Sequence, residues 1–265
     1  MLSHSEELKR QEHEIALAER KKAHKIEEAA FQQDLLRRAL IAYRNAYSTV
    51  LTVRSFVPWQ EGSTAKVYEA HVASKPDGPS HPFKITINPS EQKEVQCHQI
   101  ARRVLARHPQ GFIYALTPIL FGAVEIKKKK GDELRDCETE TFTALWMSRL
   151  SGQRLYLDNA SQESVRTRSV EQEFNFVMDF GFALKELHWH GLAHGDLSEN
   201  VWVCSDIGHR AQVIIRPGII DYGHSLFEPM LPHSDLWNRR RSSDVVAFCG
   251  IGCVLAAFFA RSLTS

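Results

Sequence analysis

The chain has 265 residues, 33 Lys and Arg against 32 Asp and Glu, 43% hydrophobic and 25% charged residues. A formal charge of +1 leaves no cationic surplus for broad nucleic-acid or membrane-surface binding, and the length suffices for one large domain or two small lobes with a proper core. Cys97, Cys137, Cys204, Cys249 and Cys253 lie far apart without metal-ligand spacing, and neither an apolar leader nor a bilayer-length apolar run is present, so a reducing, cytoplasmic or nuclear setting is expected.

Residues 5–47 contain no Gly or Pro, and Ser5, Glu6 and Glu7 offer a cap and first-turn acids, which predicts one long helix or two shorter ones. Leu8, Ile15, Ala29, Leu36 and Tyr43 keep a seven-residue step, but Lys22 interrupts it and no matching d series accompanies it, which argues against a strong coiled coil. The second half carries Ile26, Phe31, Leu35, Leu36, Leu40, Tyr43 and Tyr47, enough apolar surface to dock on whatever follows. Two uses stay open: a solvated helix packed at one end, or a helix that binds a partner protein or dimerises.

Residues 54–87 then switch to short β-type runs, RSFVPW, AKVYEAHV and FKITI, which predict three antiparallel strands. Asn88, Pro89 and Glu91 mark a helix start that continues through EVQCHQIARRVLA and stops before Pro109. TPILFGAVEI and TFTALWMSRL flank a KKKKGDELRD turn and extend the sheet to five strands, with the Lys127 to Lys130 run in a solvated hairpin loop. After Gly152 the chain is helix-rich, with residues 171–188 the clearest segment. The expected fold class is α+β: a helical extension over 1–50, a five-stranded antiparallel half with one helix over 51–148, and a mainly helical half over 149–265.

Several charged residues fall where structure alone does not require them. Glu94 shares a helical face with Cys97, Ala101, Val104 and Leu105, so this acid points inward and needs a cation. Lys84, on the preceding strand, is the cation at hand; Glu91 is the other acid within reach, and a plain strand-face lysine is the simpler alternative. Further on stands Leu-His-Trp-His-Gly-Leu-Ala-His-Gly-Asp-Leu-Ser-Glu-Asn, residues 187–200, a helix end running into His194, Gly195, Asp196 and Asn200. Twenty-five residues after Asp196, the run Ile219-Ile220-Asp221-Tyr222-Gly223 ends a β-branched pair in Asp-aromatic-Gly. Taken singly, Asp196 and Asp221 would be turn or capping aspartates.

In order and spacing these motifs resemble the protein-kinase-like superfamily, which includes protein kinases, RIO-type atypical kinases and aminoglycoside phosphotransferases; the similarity spans about residues 56–260. The resemblance implies a two-lobed fold that binds ATP and Mg²⁺ and transfers the γ-phosphoryl group to a hydroxyl. It implies that Asp196 orients the nucleophile, that Lys84 with Glu94 grips the phosphates, and that Asn200 and Asp221 hold the metal, with His194 packing the loop. Gly62, Ser63 and Thr64 would remain of the glycine-rich loop, whose other two positions are Gln60 and Ala65. Val67 would cover the adenine, Met147 would gate the back of its pocket, and Ser148 through Leu150 would lend backbone groups to the base. Asp244, in Ser242-Ser243-Asp244, would anchor the start of a helix beneath the catalytic loop.

Four departures qualify the similarity. Two glycines are missing from the nucleotide loop, and Asn200 follows Asp196 by four residues where the family has five. Gly195 replaces the usual Arg, which implies no cation to read an activation-segment phosphate. No helices follow the one at Asp244 and no Ala-Pro-Glu element stands between Gly223 and Asp244, so the usual peptide platform is expected to be missing. Arg239-Arg240-Arg241 falls where kinases bind substrate and is a candidate holder of an acidic substrate or a phosphate. The implied acceptor is first a protein Ser/Thr, then a small molecule of the aminoglycoside type. The non-enzyme alternative is a pseudokinase scaffold whose partner surface is the N-terminal helix.

Overall fold

The computed structural model describes residues 4–61, 65–86, 92–106, 115–129, 139–155, 169–198, 200–207, 213–227 and 235–262. With no breaker in its path, α1 runs unbroken over His4–Tyr47, a single helix. Ser48, in the left-handed region at φ 52°, closes it. Residues 13–30 are exposed throughout, whereas Leu35, Leu36, Ala39 and Tyr43, at helical steps, are buried. The helix is therefore packed at one end.

What it packs on is a sheet of β1 (Leu51–Val53), β2 (Gln60–Glu61), β3 (Ala65–Val72), β4 (His81–Thr86), β5 (Leu120–Lys129) and β6 (Thr139–Met147). The order is β1-β3-β4-β6-β5, antiparallel throughout, with β2 also on β3. Because β4 takes one edge of β3, β1 and β2 line the other edge in succession. They form one edge strand interrupted at residues 54–59. The expected RSFVPW strand is thus a bend between two short strands, a place where Pro58, with no N–H to donate, is tolerated. Lys127, Lys128 and Lys129 belong to β5, paired with Thr141, Glu140 and Thr139, and not to the expected turn; Lys130 lies outside the described residues, as do Asn88, Pro89 and Glu91.

Strand alternation divides the sheet's side chains between two covered faces. Tyr68, Phe83, Ile85, Phe142, Ala144 and Trp146 meet α1 in one hydrophobic cluster. Lys84 and Thr86 face the other way, toward α2 (Gln92–Ala106), along with their register partners Leu145 and Thr143. The β5 edge is covered by Tyr47, whose hydroxyl donates to the Ala123 carbonyl and accepts from its N–H, both at 3.0 Å. Gly122 permits that approach, since a Cβ there would lie 2.7 Å from the Tyr43 hydroxyl and the Tyr47 ring.

The second half holds α3 (Val170–Trp189), opened by a Ser169/Gln172 capping box, and α4 (Asp235–Ser262). It is less helical than expected. Here β7 (Gly152–Arg154), β9 (Val201–Ile207) and β10 (Val213–Ile219) form a three-stranded sheet in the order β10-β9-β7, and β8 (Leu192–Ala193) pairs with β11 (Leu226–Phe227). A single 3₁₀ turn, Tyr222–His224, follows β10. The β-branched runs in Val201–Ile207 and Val213–Ile219 explain the hairpin. A second cluster joins Cys97, Ala101 and Leu105 of α2 to Phe180, Leu187 and Ile219, so α2 is the seam between the two halves. Among the described residues no helix is long and apolar enough to cross a membrane.

Candidate functional site

Between the two halves, one buried cation meets two carboxylates. Lys84 Nζ donates to Glu94 Oε1 and to Asp221 Oδ1, each at 2.7 Å, joining β4, α2 and the end of β10. Glu94 points inward because it lies on the stripe of Cys97 and Ala101, and its Oε2 accepts from Thr86 Oγ1 at 3.1 Å. Burial alone would pull the Lys84 ammonium toward its neutral form, but Glu94 and Asp221 outweigh it and raise its pKa. Burial works on Asp221 in the opposite sense and is likewise outweighed: Lys84 and the Gly223 N–H hold its carboxyl below the ordinary carboxylate value. A lysine so held stays charged throughout the neutral range.

The facing loop is fixed from beneath. Asp244 is fully buried on α4 and accepts from the His194 N–H at 2.8 Å, the Gly195 N–H at 2.6 Å and His188 Nε2 at 3.0 Å. It anchors the loop from within the helix; α4 begins at Asp235, earlier than the expected start at Ser242. His194 Nε2 donates to the Ile220 carbonyl at 2.8 Å while its Nδ1 accepts from the Asp196 N–H at 3.3 Å, so the ring is neutral with its proton on Nε2, and burial lowers its pKa. The rings of His98, Tyr222 and His194 meet in series, the first pair edge to face and the second tilted, with centroids 5.3 and 5.1 Å apart, tying α2 to both loops.

Asn200 is buried, and its Nδ2 donates to the Asp196 carbonyl at 2.7 Å and to Asp196 Oδ2 at 3.2 Å. Its own carbonyl accepts from the Ile220 N–H at 3.1 Å, which brings it beside Asp221. Asp221 has φ 59°, in the left-handed region that Asp tolerates better than most residues. The structure therefore gathers Lys84, Glu94 and Asp221 in one cluster and Asp196 with Asn200 in a second, linked through Ile220.

Val67, Met147, Ser148 and Leu150 line a cavity that reaches Lys84 and Asp221. Gly62, Ser63 and Thr64 lie outside the described residues. One expectation changes. Ser148 does not offer a free amide, because its N–H donates to the Ile119 carbonyl and its Oγ accepts from the Ile119 N–H, both at 2.7 Å. Met147 lines the cavity two residues beyond the fully buried Leu145, which stands opposite Lys84. Trp202 and Ile220 complete the wall and were not anticipated, although Val201-Trp202-Val203 carries the β signal that would have placed an aromatic there. At the mouth, Arg149 lies over the Trp59 ring at 4.8 Å and its Nη1 contacts Glu69 Oε1 at 3.3 Å.

The absence of Arg at position 195 does not leave the loop without a cation. Arg240, from α4, lies against Gly195 and donates from Nη1 to its carbonyl at 3.2 Å. Among the described residues no cluster of three His, Cys, Asp or Glu side chains forms a protein-only metal cage. Among the described residues neither Asp221 Oδ2 nor Asn200 Oδ1 has a protein partner, and such oxygens fit Mg²⁺, which takes few protein oxygens and completes its shell with water and phosphate. No protein-family model matches this chain, and no curated protein matches it.

Proposed function

We propose that the chain is an ATP- and Mg²⁺-dependent phosphotransferase of the protein-kinase-like type, moving the γ-phosphoryl group to a hydroxyl, with protein Ser/Thr the preferred acceptor. The observation that carries this is Lys84 bonded at once to Glu94 and Asp221 across the cleft, with Asp196 and Asn200 on the facing loop. In this reading the Lys84 ammonium holds the α- and β-phosphates, and Val67, Met147, Leu150 and Trp202 enclose the base. Mg²⁺ held by Asp221 and Asn200 would neutralise charge on the phosphates. Asp196 has one oxygen tied to Asn200 and, among the described residues, no protein partner for the other, which suits it to accept a hydrogen bond from the acceptor hydroxyl. The acceptor oxygen bonds to the γ-phosphorus, the bond to the ADP oxygen breaks, and the hydroxyl proton passes to the Asp196 carboxylate.

The test is incubation of the full chain with labelled ATP and Mg²⁺, followed by mass spectrometry. Transfer is expected at least to the protein itself, and is lost in Asp196→Ala while nucleotide binding persists. A wild-type chain that binds nucleotide yet transfers nothing to itself, to generic proteins or to amino sugars would overturn the enzyme reading and leave the pseudokinase scaffold.

A further inference from the structure

Gly195 has φ +80°, and a Cβ built on it would fall on Cδ of Arg240, with Arg240 Cγ and Nε at 3.2 Å. The arginine thus crosses the space that any side chain at 195 would take. The carbonyl it bonds belongs to the peptide joining Gly195 to Asp196, so the guanidinium lies one peptide unit from the residue proposed to orient the nucleophile. That hydrogen bond uses one of five N–H donors, and among the described residues no carboxylate pairs with Arg240. Its neighbours are cations too: Arg241 lies over the Trp237 ring at 5.4 Å, and Arg239 is exposed with no ion pair among the described residues. An arginine fork is suited to phosphate or carboxylate.

We propose that Arg240 reads a phosphate or carboxylate carried by the acceptor, close to the hydroxyl that Asp196 orients, so that the preferred acceptor is anionic. This rests on the phosphotransfer reading above. Arg240 acts as a specificity residue, outside the bond-making step. Its methylenes need glycine at 195, and its guanidinium takes the acceptor's charge.

The experiment uses the full chain saturated with AMP-PNP and Mg²⁺, titrated with inorganic phosphate and separately with O-phosphoserine, and followed by amide NMR. Expected are saturable shifts of the Gly195 and Asp196 amides, with apparent affinity at least about tenfold weaker in Arg240→Gln, the loss of one charged hydrogen-bonded contact. Arg239→Gln is expected to change it less than about threefold, an exposed cation contributing little. The absence of a saturable shift, or an equal response in Arg240→Gln, overturns the proposal and marks the anion as adventitious. If Arg240→Gln does not fold, the wild-type titration decides: shifts centred on Gly195, Asp196 and the start of α4 support the site, and shifts elsewhere refute it. A chain that takes up no nucleotide overturns the phosphotransfer reading instead, and the same titration without AMP-PNP then still reads Arg240.

Discussion

Replacing Lys84 by methionine removes the cation that two carboxylates share while keeping most of the side chain's volume. The Lys84 and Glu94 side chains are 6% and 2% exposed, so Glu94 would be left as an unpaired buried charge, at a cost of about 3–5 kcal/mol. Asp221, whose side chain is 41% exposed, is screened by water and adds no more than about 1 kcal/mol. For a chain of this size the melting temperature should fall by roughly 10 °C. Urea unfolding of wild type, Lys84→Met, Glu94→Gln and the double variant forms a cycle. The double variant should be more stable than Lys84→Met alone, with a coupling of about 2–4 kcal/mol, because neutralising Glu94 removes the uncompensated charge. A Lys84→Met cost under about 1 kcal/mol, with additive single effects, would refute the buried pair and make it equivalent to a surface ion pair.

Asp244→Ala strands the buried His194 amide and the half-buried Gly195 amide and should cost about 2–5 kcal/mol; hydrogen exchange at both amides should accelerate, and unchanged protection would contradict the anchoring role. Ile15→Ala, Leu17→Ala and Ile26→Ala should each alter stability by no more than about 0.5 kcal/mol in urea unfolding, since residues 13–30 are exposed. Deleting 1–47 removes Leu35, Leu36, Ala39 and Tyr43 and should unfold the sheet half in circular-dichroism melts, each of the larger side chains contributing about 1.5–3 kcal/mol. Burial lowers the pKa of His98 and of His194, so below about pH 6.5 the unfolded chain takes up protons that the folded chain resists. Stability should therefore fall as pH drops from about 6.5 toward 5, while the depressed Asp221 loses its contribution only at lower pH and the raised Lys84 only above about 10.5. A urea midpoint constant between pH 5 and 8 would contradict the neutral histidines.

Much of the fold was legible because it follows from local chemistry. The breaker-free N-terminal segment, the alternation in Ala65–Val72 and the β-rich run in Thr139–Met147 each specify their element with short-range signals. The inward face of Glu94 was likewise visible in helical spacing, and its burial made a cation necessary. The break in the edge strand was not legible, since Phe56, Val57 and Trp59 favour a strand and only the path of β3 and Pro58 decide otherwise. The hairpin Val201–Ile207 with Val213–Ile219 had a β signal that the surrounding helices obscured.

The residue types of the candidate site and the period of most elements were set by the sequence alone, because a side chain's charge and a segment's periodicity are properties of neighbours along the chain. Only the tertiary structure decided which long-range partners meet. Lys84 and Asp221 are 137 positions apart, and Asp244 and Gly195 are 49 apart. Those distances close only when α2 and α4 bury their apolar faces against α3. The same is true of Arg240, whose part was hidden because a glycine's missing side chain matters only when another element comes to lie against it.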